Sequence, residues 1–296
     1  MSALFDVQHE YAHSSDMPSL TMAGGESLPQ LGLGTWRMGE ARATRKQEVA
    51  VLRHAIAAGI TLIDTAEMYG DGGAEEVLGE ALRGSGGERD RLFIVSKLYP
   101  WNASRHDTKV ACERSLKRLG TDKIDLYLLH WRGEHSLADT VSAFEELKRD
   151  GKIRHWGVSN FDTDDMRELY AVTDGCNCAT NQVYYNLARR WPEANLLPWQ
   201  RERGISTMAY SPLDQGKLIN RPSLAPIAER LGVTPSQVAL AWLMHEKDIV
   251  AIPKSSRIEG VDEILGARRV KLDVDDIALL QKAFPPPKSN ASMETT

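Results

Sequence analysis

From Leu31 onward the chain alternates short apolar runs with longer amphipathic stretches almost to its end. The apolar runs fall near 31–36 (LGLGTW), 61–66 (TLIDTA), 92–98 (LFIVSKL), 124–130 (IDLYLLH), 154–160 (RHWGVSN), 179–185 (ATNQVYY), 206–212 (STMAYSP) and 249–255 (IVAIPKS). Several are nearly continuous in apolar residues, the pattern of parallel strands covered on both faces. Helical patterns lie between them, near 45–58, 75–83, 108–119, 138–150, 163–173, 193–203, 235–247 and 259–267. Val141, Phe144, Leu147 and Lys148 follow one helical stripe. Ser223 and the Thr234-Pro235 pair read as helix starts. Strand–helix alternation repeated eight times predicts an α/β fold, a (β/α)8 TIM barrel with its helices outside. Ahead of it, Leu20-Thr21-Met22, the turn formers Ala23 to Glu26 and Leu28 predict a short N-terminal β-hairpin. Residues 1–18 lack periodicity and read as a flexible arm. The barrel is assigned to 19–285 and a C-terminal tail to 286–296.

An open doubly wound sheet is the rival architecture, and it calls for G-x-G-x-x-G after an early strand. Gly32-Leu33-Gly34 is followed by Thr35-Trp36-Arg37, without the third glycine.

Composition narrows the function classes. The 296 residues are 42% hydrophobic and 26% charged, with a net charge of -5, which gives no general attraction for nucleic acid or an anionic membrane surface. No run approaches the roughly 18 to 20 apolar residues that span a bilayer, and Met1 to Pro18 lacks the apolar core of a signal peptide. Three cysteines, an odd number, fit a reducing cytoplasm better than a disulfide framework. Cys176-Asn177-Cys178 is tighter than a C-x2-C knuckle and has no second half-site, so two loop cysteines without a metal are expected. A cytoplasmic monomer acting on a small molecule is the expectation.

In a barrel of this kind reactive groups sit at the C-terminal ends of strands. Those ends carry Asp64 on the second strand, Lys97 on the third, His130 on the fourth and Ser159-Asn160 on the fifth; Gln182, Tyr210-Ser211 and Lys254-Ser255 follow on the sixth, seventh and eighth. Each caps an otherwise apolar run, and a ring of polar caps points to a common site. The segments GITLIDTAEMYG (59–70), VSKL (95–98), LLHW (128–131), WGVSNF (156–161) and IPKS (252–255) resemble, in order and spacing over residues 28–285, the motifs of the aldo-keto reductase family. AEMYGDGGAEEVLGEAL and YPWNA are most similar to its short-loop bacterial members, which include methylglyoxal reductases.

The resemblance implies NADPH-dependent reduction of aldehydes to alcohols, with Tyr69, Lys97, Asp64 and His130 as the catalytic residues. Chemistry supports those roles. Hydride transfer to a carbonyl leaves charge on oxygen that a proton must neutralise. Tyr69 is the donor, Lys97 is expected to stabilise the phenolate and lower its pKa, and Asp64 holds Lys97 charged. His130 orients the carbonyl oxygen through a hydrogen bond. Taken singly, Asp64 and Lys97 also read as a structural ion pair, His130 as a core residue and Tyr69 as a packing aromatic.

For the cofactor, the resemblance places Ser159, Asn160 and Gln182 on the nicotinamide carboxamide, Tyr210 against its ring, and Ser211 and Leu213 along the pyrophosphate. Thr35, Trp36 and Asp64 also fall on the cofactor side, and Lys254 and Ser255 match the contacts to a 2′-phosphate. One departure stands out: the family's arginine six residues after this lysine is here Gly260, while Glu263 keeps the adenine contact. Arg257 is the expected substitute from the loop, so NADPH/NADP is the assigned cofactor with NADH as a weaker alternative. Trp36, Trp101 and Trp131 join Tyr69 and His130 as the expected wall of a substrate pocket, open at the top because the loops are short. A metal-dependent hydrolase would need more histidines at strand ends than His130, and a non-catalytic cofactor-binding subunit is the remaining alternative.

Overall fold

The computed structural model describes residues 17–22, 25–83, 88–288 and 291–296. Most of the expected arm, 1–16, lies outside the described residues, as do Ala23 and Gly24 of the expected turn. Two short strands, β1 (Ser19–Thr21) and β2 (Ser27–Pro29), pair antiparallel with Leu20 opposite Leu28. Eight parallel strands follow: β3 (Leu33–Gly34), β4 (Leu62–Asp64), β5 (Phe93–Leu98), β6 (Ile124–Leu129), β7 (Ile153–Ser159), β8 (Thr180–Tyr184), β9 (Ser206–Tyr210) and β10 (Ile249–Ala251). They are neighbours in sequence order. The sheet closes on itself where Leu31 bridges Ala251 and where the Gly32 and Gly34 amides donate to the carbonyls of Ala251 and Pro253, making a (β/α)8 barrel.

The helices are α1 (Arg45–Ala57), α2 (Gly73–Leu82), α3 (Glu88–Arg91), α4 (Arg105–Leu119), α5 (Leu137–Arg149), α6 (Thr163–Ala171), α7 (Pro192–Arg201), α8 (Ala225–Leu231), α9 (Pro235–His245), α10 (Ile258–Gly266) and α11 (Val274–Ala283). Eight match the expected helical stretches; α3, α8 and α11 do not. The signal for α11 is in the sequence, since Asp273 and Asp276 form a capping box ahead of Leu280 and Phe284, which bury against the body. Thr234 caps α9 through its own box with Gln237, as expected. Ser223 does not start a helix; it lies inside the short turn Pro222–Leu224, and Leu224 precedes α8 without a side-chain cap. On α5, Val141, Phe144 and Leu147 are buried but Lys148 is exposed, and Leu137 and Ala143 complete the apolar face instead.

Packing divides into two layers. An outer layer between strands and helices includes Ile63, Ile94, Leu98, Tyr127, Leu129, Trp156 and Val158. An inner layer fills the barrel with Leu62, Phe93, Val95, Leu126, Leu128, Met208 and Val250, and Leu20, Met22 and Leu28 of the hairpin join it. The hairpin therefore contributes to the filling of the barrel, and its apolar alternation is explained by that burial. No helix among the described residues is long and apolar enough to cross a membrane.

Candidate active site

Strand alternation decides which side chains enter the barrel. On β5, Phe93 and Val95 belong to the inner layer and Ile94 and Leu98 to the outer, so Lys97 points inward. The same count puts Asp64 with Leu62 on β4 and His130 with Leu126 and Leu128 just past β6. Ser159 alternates with the outward Trp156 and Val158, Gln182 with the outward Val183, and Tyr210 follows inward Met208. Parallel register then levels these residues: Ser159 sits beside Gln182, and Tyr184 beside Tyr210. Beyond the strands the ladder continues, with the His130 amide donating to the Leu98 carbonyl at 3.1 Å and the Asn160 amide to the Gln182 carbonyl at 2.9 Å.

Lys97 stands at the centre, 0% exposed. Its ammonium donates to Asp64 Oδ1 and Oδ2 at 2.8 and 2.9 Å, to the Thr65 carbonyl at 2.8 Å and to the Tyr69 hydroxyl at 3.2 Å. Gln182 Nε2 donates to Asp64 Oδ1 from the far side at 2.8 Å. Burial lowers the Lys97 ammonium from its usual pKa, and the neighbouring Asp64 charge opposes that shift. The lowered phenol pKa expected for Tyr69 is not found. Burial holds Tyr69 well above its ordinary value, and the negative charge of Asp64 adds to the effect. Burial dominates, and Lys97, already matched by a carboxylate, presents the phenol with a compensated pair rather than a bare cation to oppose it. Tyr69 is thereby kept as the neutral, proton-bearing phenol.

His130 meets Tyr69 edge-on, with ring centres 5.9 Å apart. Burial, and then the Lys97 charge, press its imidazole well below the ordinary histidine value, so the ring is neutral. Its Nδ1 is buried without a hydrogen-bond partner among the described residues. A proton there would be an unsatisfied donor, so the favoured tautomer carries its proton on Nε2.

The polar groups on the other side form a connected chain. Ser159 Oγ donates to the Gln182 carbonyl at 2.9 Å, Asn160 Nδ2 to the His130 carbonyl at 3.1 Å, and the Tyr210 hydroxyl to Asn160 Oδ1 at 2.8 Å. Asn160 is held at φ +56°, and the following helix is fixed at once by the Asp162–Asp165 capping box. Tyr210 stacks on Tyr184 at 5.5 Å and 6°. The Tyr184 hydroxyl bonds Asp214, and Asn186 Nδ2 holds the Ser211 carbonyl at 2.9 Å. Thr35 is buried, with its hydroxyl on the Asp64 carbonyl at 3.0 Å. Leu213 packs against the outer core. The C-terminal tail is in contact with this region: Glu294 pairs with Arg189 at 2.8 Å, and Thr296 reaches the Tyr210 hydroxyl.

The residues expected around the adenosine end are less closely joined. Lys254 and Arg257 are exposed. Ser255 Oγ accepts from the Arg257 amide at 3.1 Å and donates to its carbonyl at 2.8 Å, forming a turn at the start of α10. Glu263 Oε1 accepts from the Thr234 hydroxyl at 2.6 Å. A Cβ at Gly260 would overlap the Ser255 hydroxyl, so glycine at 260 is what permits this turn, and an arginine there would have to displace Ser255.

Tryptophans flank the mouth. Trp101 is 60% exposed and stacks on Tyr99 at 4.1 Å, with Trp131 edge-on to both and 4.9 Å from His130. Trp36 stands apart from this cluster, exposed and covered by the Arg37 guanidinium at 4.7 Å. Sequence reasoning gave no role to Tyr99, Tyr184, Asp214 or Glu67. Tyr99 and Glu67 lie inside the YPWNA and AEMYG segments and were within reach; Asp214 gains its place through a positive-φ turn that no pattern announces.

Comparison with known proteins identifies relatives of this chain. The model of the Aldo/keto reductase family matches residues 30–284. Methylglyoxal reductase YeaE of Escherichia coli K12 is 48% identical over 280 residues, covering 93% of this chain and 98% of that protein. The crystal structure of an aldo-keto reductase from Klebsiella pneumoniae in complex with NADPH superposes with a TM-score of 0.90 at 45% identity, covering 95% of this chain and 99% of that one. A second Klebsiella pneumoniae structure, with NADP and acetate, gives 0.89 at 46% identity over 94% and 100% of the two chains.

Proposed function

This chain belongs to the aldo-keto reductase family of oxidoreductases, and on that premise we propose that it reduces small aldehydes to alcohols with NADPH, Tyr69 supplying the proton. The observation that carries the reading is the Lys97 ammonium lodged between the Asp64 carboxylate and the Tyr69 hydroxyl, with the neutral His130 ring alongside.

The residues present suit a nicotinamide cofactor. Gln182 uses its amide N–H on Asp64 and offers its carbonyl oxygen to a carboxamide, while Ser159 and Asn160 stand next to it. Tyr210, backed by Tyr184, presents an aromatic face. Lys254 and the Ser255–Arg257 turn gather cations and amides at the N-terminus of α10, a setting that favours phosphate. When bound, the cofactor supplies hydride. The chain's own residues then manage the oxygen: His130 Nε2–H aligns it, the Tyr69 hydroxyl passes its proton to it, and Lys97 steadies the phenolate left behind. Asp64 keeps Lys97 protonated for that moment. Thr35 and Gln182 keep Asp64 in place.

Methylglyoxal is a fitting substrate because the Escherichia coli relative is named for it, and the Tyr99–Trp101–Trp131 wall suits aromatic and aliphatic aldehydes. The three cysteines are unpaired, which suits the cytoplasm. Following NADPH oxidation with methylglyoxal and 4-nitrobenzaldehyde tests the reading. Tyr69→Phe should lower turnover by at least about a hundredfold while leaving cofactor affinity nearly intact. Near-unchanged turnover in that variant would remove Tyr69 from its role.

A further inference from the structure

Glu67 is a buried carboxylate that the catalytic scheme does not use. It lies in the loop after β4, two residues before Tyr69, and is 6% exposed. Its amide donates to the Lys97 carbonyl at 3.0 Å, tying the loop to β5. Its side chain reaches past that point into the next loop: Oε2 accepts from the Tyr99 amide at 3.2 Å and from Asn102 Nδ2 at 3.1 Å. Oε1 accepts from Arg114 of α4 at 2.7 Å, which compensates the buried charge. The far side of the same turn is fixed separately, by Thr108 on the Asn102 carbonyl and Thr140 on the Ala103 carbonyl.

Trp101 sits between the two donors that Glu67 holds. It stacks on Tyr99, and both rings meet Trp131, the neighbour of His130. One carboxylate thus joins the loop that carries the proton donor to the turn that carries the aromatic wall.

We propose that Glu67 is a positioning residue that sets the Tyr99–Trp101 wall against Tyr69, and so determines how well aldehydes with aromatic substituents bind. This rests on the aldehyde-reductase reading. Glu67 touches neither reacting group, so its effect falls on the bulky substituent rather than on the carbonyl. A three-carbon aldehyde has too little apolar surface to depend on the wall. Arg114 matters less, because its guanidinium is partly exposed and water can replace its contact.

The test compares Glu67→Ala, Glu67→Gln and Arg114→Ala with the unaltered protein, using NADPH with 4-nitrobenzaldehyde and with methylglyoxal. Glu67→Ala should raise KM for the aromatic aldehyde about tenfold, through the loss of charge-assisted hydrogen bonds that hold the wall. Its kcat, and both constants for methylglyoxal, should stay within about twofold. Glu67→Gln keeps an acceptor for Tyr99 and Asn102 and should recover most of the loss; it also carries the test if the alanine variant does not fold, with a rise of about threefold expected. Arg114→Ala should change KM for the aromatic aldehyde less than Glu67→Gln does. Hydrogen exchange of the segment 99–104 gives a readout independent of turnover, and it should quicken in Glu67→Ala or, failing that, in Glu67→Gln. Equal losses with both aldehydes, or unchanged exchange in that segment, would overturn the proposal. If the unaltered protein reduces neither aldehyde, the functional reading fails, and the exchange measurement still decides whether Glu67 holds the wall.

Discussion

Replacing Asp64 by asparagine changes one atom and removes the anion on which Lys97 depends. The ammonium lies 2.8 Å from Asp64 Oδ1 and 2.9 Å from Oδ2 with neither residue appreciably exposed. At an effective dielectric of about 20, charges separated by that distance attract by roughly 6 kcal/mol before the cost of burying them is set against it. Removing one partner of such a pair usually costs about 3 to 5 kcal/mol, because the survivor is left charged and buried. The asparagine can keep its carbonyl toward Gln182 Nε2, which now donates to Oδ1. Its amide N–H then faces Lys97 Nζ, donor against donor, unless the lysine gives up its proton. Burial already lowers Lys97, and Asp64 is the first influence opposing that shift, so deprotonation is the expected escape and it limits the loss to about 2 to 4 kcal/mol. Thermal denaturation at pH 7 should show a fall of at least about 3 °C. The same variant should lose activity steeply, since a neutral lysine no longer stabilises a Tyr69 phenolate. If Asp64→Asn leaves the protein as stable and as active as the parent, the pair neither holds the barrel mouth together nor supports proton transfer.

Two further outcomes follow from the site. Arg257→Ala should weaken NADPH by about tenfold and leave NADH nearly unchanged, as judged by fluorescence titration, if the exposed guanidinium takes the place of the arginine missing at Gly260; equal weakening of both cofactors would assign it to the part they share. His130 has its pKa pressed well below the ordinary histidine value of 6.5. The unfolded chain therefore takes up a proton near 6.5 that the folded ring refuses, and this contribution makes stability fall as pH drops through 6.5 toward the folded value. Urea midpoints measured against pH should show that acid-side fall reduced in His130→Asn, and parallel curves for the two proteins would contradict the depressed value.

The barrel was legible because its cause is local. Strands buried on both faces must be apolar throughout, and FIVSKL and IDLYLL advertise that burial directly. The polar residues that interrupt such runs at Asp64, Lys97, His130 and Gln182 were legible for the same reason, since nothing in a two-sided core calls for them. The first, second and last strands were read as longer than they are, because the runs LGLGTW, TLIDTA and IVAIPKS extend beyond the ladders, which cover only Leu33–Gly34, Leu62–Asp64 and Ile249–Ala251. The helix α8 escaped because it is only seven residues long and shares the β9–β10 connection with α9, and α11 because it comes after the last strand, beyond the eighth strand–helix pair.

Sequence alone determined which side chains face inward, since the period of a strand is two and each inward residue follows from its neighbours. It could not set how those side chains meet. That Lys97 engages Asp64 and Tyr69 together, and so leaves the phenol facing a compensated pair, depends on distances across β4 and β5. The family resemblance points Glu263 toward an adenine contact, and only the fold shows that its Oε1 also accepts from the Thr234 hydroxyl across the α9–α10 packing. Glu67 reads as one acidic residue among many until the chain closes. Only then do the loops after β4 and β5 lie near enough for a single carboxylate to hold both, because hydrogen-bond geometry is fixed by residues 32 and 35 positions apart.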